Sequence, residues 1–323
     1  MSEFKGLRVD PGAPKRTWRE WLSSYGLVLA LLLICLVLSF CSSRFLTTGN
    51  LINVVRQISI NGILAVGVTY VLLTGGVDLS LGSLVALTGV VAACFARNAQ
   101  LPFFIPVLCG VMAGAICGAA NGLVITFGRV APFIATLGMM SAARGLAYVI
   151  AEGRPVSGLQ PGFNRLGGDV LGLPIPVLVL ILVTVGSAIL LMRTRLGRHV
   201  YAVGGNEKAA RAAGINVTGV KLFAYSICGA LAGLAGVVLA ARTTTGQPNA
   251  GVAYELDAIA AVVVGGTSLA GGIGGVVGTI LGALLIGVIS NGLDLLNVSS
   301  YLQMIVKGVL IVAAVWLDKR GSE

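Results

Sequence analysis

The residues best suited to chemistry are polar side chains that interrupt long apolar stretches. Amides, hydroxyls and a few carboxylates can hydrogen-bond an uncharged, polyhydroxylated solute, and carboxylates at membrane depth usually face a polar interior. Eight such residues are therefore candidates for a substrate pathway. They are Asn61, Thr74, Asp78, Ser80, Asn121, Glu255, Asp257 and Asn291.

A local structural role competes with the substrate role for the carboxylates. Asp78 lies in Thr74–Ser83, where glycines interrupt an apolar stretch, and capping of the next helix explains it as well as substrate contact does. Glu255 and Asp257 begin an apolar segment, where carboxylates favour the helix dipole, so capping is the stronger interpretation there. Arg144 and Lys307 fall inside apolar segments, where a charge must be paired or must reach the interface.

The chain lacks the residues for catalysis. His199 is the only histidine, and no Gly-x-Ser-x-Gly, His-Glu-x-x-His or metal-ligand spacing occurs. No Gly-x-x-x-x-Gly-Lys-Ser/Thr phosphate-binding loop occurs either. The six cysteines are scattered and are best explained as packing residues. We therefore predict a protein that is not an enzyme, with no catalytic residues, metal site or bound cofactor.

One polar island, residues 193–216, separates two long apolar segments. Asn206 is a good N-cap, Glu207–Ala213 are strong helix formers, and Gly214 supplies a stop. The pattern predicts a helix of about two turns. Such a polar helix either lies solvated at the membrane surface or is bound by another protein.

Composition identifies a membrane protein. Hydrophobic residues make up 56% of the 323 residues and charged residues 11%, against about 25% charged in soluble domains. We predict an all-α, polytopic bundle with broken helices and about ten spans, several of them short for a hydrocarbon core. The predicted spans are 25–40, 51–74, 81–96, 103–127, 133–151, 176–192, 217–241, 254–265, 276–291 and 301–317.

Lysine and arginine indicate the orientation. With the N-terminus inside, most of the 22 basic residues fall in the tail, the 128–132 turn, the island and the C-terminus. The positive-inside rule then places all four in the cytoplasm. The predicted domains are a cytoplasmic tail (1–22), a transmembrane domain (23–318) that includes the cytoplasmic island, and a cytoplasmic C-terminus (319–323). The net charge of +10 thus reflects topology rather than nucleic-acid binding.

Glycines recur at four-residue spacing in two places. One stripe is Gly110, Gly114, Gly118 and Gly122, and the other is Gly274, Gly278 and Gly282. Such stripes allow helix backbones to approach closely in lipid, and we expect tight helix packing at both.

At the island the sequence resembles a known family. Gly204–Ile215 is similar to the cytoplasmic coupling loop of permease subunits of bacterial ATP-binding-cassette importers. The stretches 73–83, 254–272 and 298–307 resemble the sugar branch of that superfamily, most closely the ribose-type permeases. The resemblance runs from about residue 45 to the C-terminus.

The resemblance implies a multi-pass protein of the bacterial inner membrane, built from two related halves and paired with a second copy of itself. It also implies cytoplasmic ATPase subunits that use the ATP, and a periplasmic or extracellular sugar-binding protein. The implied ATPase-coupling residues are Gly205, Asn206, Glu207, Ala209, Ala210, Arg211 and Gly214.

Several alternatives stay open at this stage. The solute could be another pentose, a hexose or a furanose signal instead of ribose, because relatives for these sugars look alike. A branched-chain amino-acid permease would need groups for the substrate's ammonium and carboxylate. A stand-alone secondary transporter is disfavoured by the polar island and by the few ionisable residues within the spans.

Overall fold

The computed structural model describes residues 18–299, 301–309 and 312, and helices dominate them. Residues 301–309 form the last helical stretch, and a short 3₁₀ turn and a two-stranded hairpin complete the regular structure. The elements are α1 (Trp18–Cys41), α2 (Thr48–Leu73), α3 (Leu81–Ala96), α4 (Phe104–Thr126), α5 (Pro132–Ile150), α6 (Pro161–Asn164), the 3₁₀ turn (Arg165–Gly167), β1 (Asp169–Val170), β2 (Leu173–Pro174), α7 (Ile175–Arg193), α8 (Arg195–Gly205), α9 (Glu207–Ala212), α10 (Val217–Thr243), α11 (Tyr254–Val264) and α12 (Val276–Leu295).

The predicted helical membrane protein is confirmed. Within the described part of the chain, six helices are long and apolar enough to cross a membrane, namely α2, α4, α5, α7, α10 and α12, and 26–41 and α3 are shorter apolar helices. Each predicted span overlaps a helix, although only 301–309 and 312 of the last span are described. The predicted C-terminus, and residues 1–17 of the predicted tail, lie outside the described residues.

The centre of the bundle is α10, which packs against α4, α3 and α2. Most of α3 and the second half of α2 are buried. Both are apolar on every side, as expected of helices surrounded by protein. In contrast, α5 and α7 keep large apolar side chains exposed, such as Val149 and Leu182, which suits contact with lipid.

The first glycine stripe forms the crossing between α4 and α10, as predicted. A Cβ added to Gly114 would overlap the Gly229 carbonyl oxygen, and one added to Gly118 would overlap the Tyr225 carbonyl oxygen. In the second stripe, Gly278 and Gly282 pack in the same way on α11. The prediction for Gly274 was wrong, because this residue precedes α12 with φ 134°.

Two breaks interrupt the buried helices: the first break (74–80) separates α2 from α3, and the second break (265–275) separates α11 from α12. Both begin with the same motif, a glycine in the left-handed region, Gly75 (φ 74°) or Gly266 (φ 87°). In each, the next N–H donates to the carbonyl five residues back, that of Val71 or Val262. This Schellman arrangement satisfies the helix-end carbonyls.

The connections gather at two opposite faces of the bundle. The turn after α4, the helix α9 and the start of α10 line one cavity. At the other face, Val156 and Gly246 exchange backbone hydrogen bonds of 2.9 Å, and Arg56 pairs with Asp169 of β1. The predicted grouping of the 128–132 turn with the island therefore agrees with the fold.

Candidate functional site

The island folds into two helices, α8 and α9, rather than the single helix that the sequence predicts. Asn206 caps α9 as expected, since its Oδ1 accepts a 2.9 Å hydrogen bond from the Ala209 N–H. At the other end Gly214, with φ 80°, terminates the helix, and Ile215 N–H donates to the Ala210 carbonyl. Residues 206–214 are thus fixed at both ends.

Ion pairs attach α9 to the membrane helix that follows it. The Glu207 carboxylate accepts 2.6 Å and 3.1 Å contacts from Lys221 of α10 and from Arg211 one turn later. The hydrogen bond from Lys221 and the two positive charges lower the pKa of Glu207 below its ordinary value, although its partial burial opposes them. Glu207 therefore carries its negative charge at neutral pH, and its ion pair with Lys221 joins α9 to α10.

The exposed side of α9 borders a polar cavity of about 530 Å³. Arg129 of the turn after α4, Arg211 and Lys221 contribute three positive charges to its lining, and Glu207 contributes one negative charge. Ala210 is the one residue of α9 that is buried. Most of this helix therefore has no covering within the described chain, while the cavity beside it carries excess positive charge.

Sequence reasoning missed α8, although its signals are present. Thr194 caps it, with Oγ1 accepting a 3.1 Å hydrogen bond from the Gly197 N–H. Leu196, Val200 and Val203 give it an apolar stripe, and the latter two are buried. A capping threonine followed by this spacing predicts an amphipathic helix. In the structure, α8 places the following helix α9 against the bundle instead of leaving α9 free at the surface.

The first break brings together three of the predicted pathway residues. Asp78 is fully buried, and its Oδ1 accepts hydrogen bonds from the Ser80 N–H (2.8 Å) and hydroxyl (2.6 Å). Asn121 of α4 donates to the Ser80 hydroxyl at 3.2 Å. Thr74 instead bonds back to Val71 within its own helix end. The Asp78 carboxylate thus holds Ser80, the residue before α3, although no side chain caps α3 itself.

Asparagine at position 78 should distinguish a structural role from a substrate role. Because an amide oxygen can accept the same bonds from Ser80, Asp78→Asn should change the free energy of unfolding by less than about 1 kcal/mol, whereas Asp78→Ala should lower it by about 1–3 kcal/mol, the usual cost of leaving a buried donor unsatisfied. Thermal unfolding of the purified protein measures both. An Asp78→Asn protein of normal stability that loses its activity would instead assign the carboxylate to the substrate role.

The other predicted pathway residues do not join this hydrogen-bond network. Asp257 pairs with Lys307 at 2.8 Å, and Asn291 exchanges hydrogen bonds of 2.9 and 3.0 Å with Asn50 of α2. Glu255 lies against Gly82, at the start of α3, and Asn61 is half-buried in α2. The expectation that Lys307 needs a partner is confirmed. The substrate role of these four pathway residues stays a prediction.

Arg144 also has partners. Its guanidinium donates to the carbonyls of Pro248 and Ala250 at 2.8 and 2.7 Å. These bonds attach α5 to the loop before α11. They meet the predicted requirement that a charged group within an apolar segment be satisfied.

A second cavity, not predicted from the sequence, lies at the face opposite α9. It measures about 190 Å³, and its lining is mixed: Thr243, Thr245, Gln247 and Tyr254 contribute hydroxyl and amide groups beside apolar side chains of α3 and α10. Its signal in the sequence was the polar loop after α10. Its groups are chemically suited to an uncharged hydroxylated solute.

The described residues contain no cluster of three or more histidine, cysteine, aspartate or glutamate side chains able to hold a metal. His199 lies half-buried on α8, far along the chain from Asp78 of the first break. The geometry thus offers hydrogen-bonding cavities and a rigid polar helix, which are suited to binding and movement.

Comparison with known proteins gives consistent results. A family model described as branched-chain amino acid transport system / permease component matches residues 50–315. The ribose import permease protein of Escherichia coli (strain K12) is 48% identical over 94% of this chain and 95% of its own length. That of Bacillus subtilis (strain 168) is 46% identical over 93% and 94%. The D-allose transport system permease protein of Escherichia coli (strain K12) is 39% identical over 93% and 92%. No solved structure matches the chain.

Proposed function

The chain belongs to the permease-component family of the branched-chain amino acid transport systems, and from this premise we propose that it is the membrane permease subunit of an ATP-driven ribose importer. The ribose import permeases, at 46–48% identity over nearly the whole chain, support ribose over allose, whose permease is 39% identical. The hydroxyl- and amide-lined cavity suits such a solute. In this role the chain is a transport component rather than an enzyme.

The observation that carries the coupling role is the construction of α9. Its ends are fixed by Asn206 and Gly214 and its side chains by the Glu207 ion pairs. Fixing six residues in this way costs conformational entropy, and such a rigid polar helix suits a contact with another protein. Because the sequence has no phosphate-binding loop, we infer that the ATP is bound and hydrolysed by a separate subunit that contacts α9.

The remaining assembly is proposed from the same premise. Two copies of the chain would form the translocation pathway, with ATPase subunits at the cytoplasmic face and a sugar-binding protein at the outer face. The N- and C-termini, the turn after α4 and α9 would be cytoplasmic. The positive charges of Arg129, Arg211 and Lys221 beside α9 support that side, since basic residues favour the cytoplasm.

We further propose about ten membrane segments in two related halves. Besides the six long helices, α1, α3, α11 and the helical residues 301–309 are the short segments. The two breaks support the relation between the halves, because each follows a buried helix and begins with the same glycine motif. Non-helical backbone at membrane depth is tolerated where protein surrounds it.

Loss of the α9 side-chain contacts tests the coupling role. The double variant Glu207→Ala/Arg211→Ala should lower ribose-stimulated ATP hydrolysis and uptake about tenfold, the size of a typical coupling between sites. The assay uses the full importer in liposomes, with its ATPase and binding protein. Arg154→Ala, at an exposed position of the opposite face, is the control and should behave as wild type.

If the double variant hydrolyses ATP and takes up ribose as the wild type does, α9 is not the coupling helix. Uptake by the chain alone, without ATP or partners, would instead support a secondary transporter. Selective uptake of leucine over ribose would favour an amino-acid permease.

A further inference from the structure

Three segments from distant parts of the sequence meet by their backbones beside α9. They are the end of α2, the end of α8 and the second break. The Gly272 N–H of the break donates a 3.0 Å hydrogen bond to the carbonyl of Leu73, the last residue of α2. Tyr201 of α8 donates its hydroxyl to the Gly274 carbonyl at 2.9 Å. We call this meeting point, formed by Leu73, Gly75, Gly204, Gly205, Gly271 and Gly272, the glycine junction.

The glycine junction has no space for a side chain at its centre. A Cβ on Gly204 would overlap the Leu73 carbonyl oxygen and lie 2.5 Å from the Gly272 nitrogen. A Cβ on Gly271 would lie 2.8 Å from the Gly75 nitrogen and 3.0 Å from the Gly204 oxygen. Because the obstructing atoms belong to the backbone, no rotamer change could relieve these clashes.

The glycine junction is continuous with α9. Gly204 lies two residues before Asn206, which caps α9. The Asn206 N–H in turn donates to the Ala202 carbonyl of α8. On the other side, Leu73 leads directly into the first break, which contains Asp78, and Gly272 is part of the second break. A displacement of α9 is therefore applied at once to the ends of both broken helices.

From this arrangement we propose that the glycine junction transmits movement of α9 to the two breaks, with Gly204 and Tyr201 as positioning residues. The proposal rests on the proposed function, because it takes α9 to be the contact of the ATPase. Backbone-to-backbone packing suits this task, since packed cores pass on small shifts instead of absorbing them. Both breaks would then move together when the ATPase subunits move.

Two glycines give a matched test. Gly204→Ala introduces the clash, whereas Gly138→Ala in α5, outside the junction, is the control, because no atom lies within 4 Å of a Cβ at that position. The importer is reconstituted with its ATPase and binding protein in liposomes. The measurements are the yield of assembled complex, basal and ribose-stimulated ATP hydrolysis, and ribose uptake.

We expect Gly204→Ala to assemble while its stimulated rate falls to the basal rate and its uptake falls about tenfold. Gly138→Ala should match the wild type. Tyr201→Phe, which removes only the hydrogen bond to Gly274, should fold normally and reduce stimulation by about twofold to fivefold, as expected for a loss of one hydrogen bond. A merely structural role would lower assembly and leave the ratio of stimulated to basal hydrolysis unchanged.

Normal stimulation in Gly204→Ala, or equal losses in Gly204→Ala and Gly138→Ala, would overturn the proposal. If Gly204→Ala does not assemble, Tyr201→Phe becomes the test of the proposal. An unchanged ratio of stimulated to basal hydrolysis in Tyr201→Phe would then overturn the proposal. A wild-type complex without ribose-stimulated hydrolysis would refute the proposed function itself. If the wild-type complex and the Gly204→Ala complex both show ribose-stimulated hydrolysis, only the proposed role of the glycine junction is refuted.

Discussion

Replacing Gly118 by leucine should prevent accumulation of the folded protein. A side chain at this position of α4 would overlap the Tyr225 carbonyl oxygen and lie 3.1 Å from the Gly229 Cα of α10. Overpacking a core costs about 1–3 kcal/mol when side chains can move aside, and here the obstacle is backbone. We therefore expect a loss of more than about 3 kcal/mol, measured as monodisperse protein and thermal unfolding in detergent.

A glycine on a less crowded helix provides the control. Gly138 lies within α5, and no atom stands within 4 Å of a Cβ placed there. Since leucine favours helix more than glycine by nearly 1 kcal/mol, Gly138→Leu should accumulate at least as well as the wild type. Gly118→Ala should be intermediate. If Gly118→Leu unfolds at the same temperature as the wild type, α4 and α10 do not cross as closely as described.

The α4 stripe also shows how far spacing alone can predict a fold. Four glycines at intervals of four predict a close backbone crossing, and the crossing is present. The identity of the partner could not be predicted, because α10 contributes Gly229 and Gly233 about a hundred residues later. A stripe of small residues determines the distance between two helices, whereas the partner depends on the packing of the entire bundle.

The candidate site was predictable to a similar extent. Capping by Asn206 and the stop at Gly214 depend on nearby residues, and both are confirmed. The contact of Glu207 with Lys221 joins two different helices. The glycine junction joins segments as far apart as Leu73 and Gly272. Local hydrogen-bonding rules cannot reveal such long-range contacts, so the island resembled an isolated polar helix in the sequence.

The pathway residues divide in the same way. The sequence places Asp78 and Ser80 at a helix start, and in the structure the N–H and hydroxyl of Ser80 donate to the Asp78 carboxylate. Asn121, which completes that cluster, comes from α4. Asp257 was best explained by the dipole of its own helix, yet its carboxylate also has a distant lysine partner. A carboxylate near a helix start can therefore interact with the helix dipole and also pair with a distant lysine. Only the three-dimensional contact reveals the second role.

Replacing that lysine should have the second large effect on stability. Lys307→Met leaves the Asp257 carboxylate, whose side chain is only 6% exposed, without its 2.8 Å partner. Removing one member of a buried ion pair typically costs about 3–5 kcal/mol. The Lys307 side chain is 24% exposed, so the lower end of that range is expected. Thermal or denaturant unfolding of the purified permease measures the loss.

The more exposed pair between Arg56 and Asp169 is the matched control. Their side chains are 25% and 44% exposed, and exposed pairs contribute about 0–1 kcal/mol. Arg56→Met should therefore change the unfolding free energy by less than about 1 kcal/mol. A loss in Lys307→Met no greater than that in Arg56→Met would show that the Asp257 carboxylate is not buried as described.

The double variant Asp257→Asn/Lys307→Met separates the energy of the pair from the cost of leaving a charge unpaired. If the uncompensated carboxylate causes the instability, removing it together with the lysine should recover most of the loss, since buried pairs can often be replaced by neutral residues at little cost. If the pair itself holds α11 against residues 301–309, the double variant should be no more stable than Lys307→Met. Because desolvation opposes the attraction within a buried pair, we expect the recovery, and we infer that Lys307 mainly neutralises Asp257.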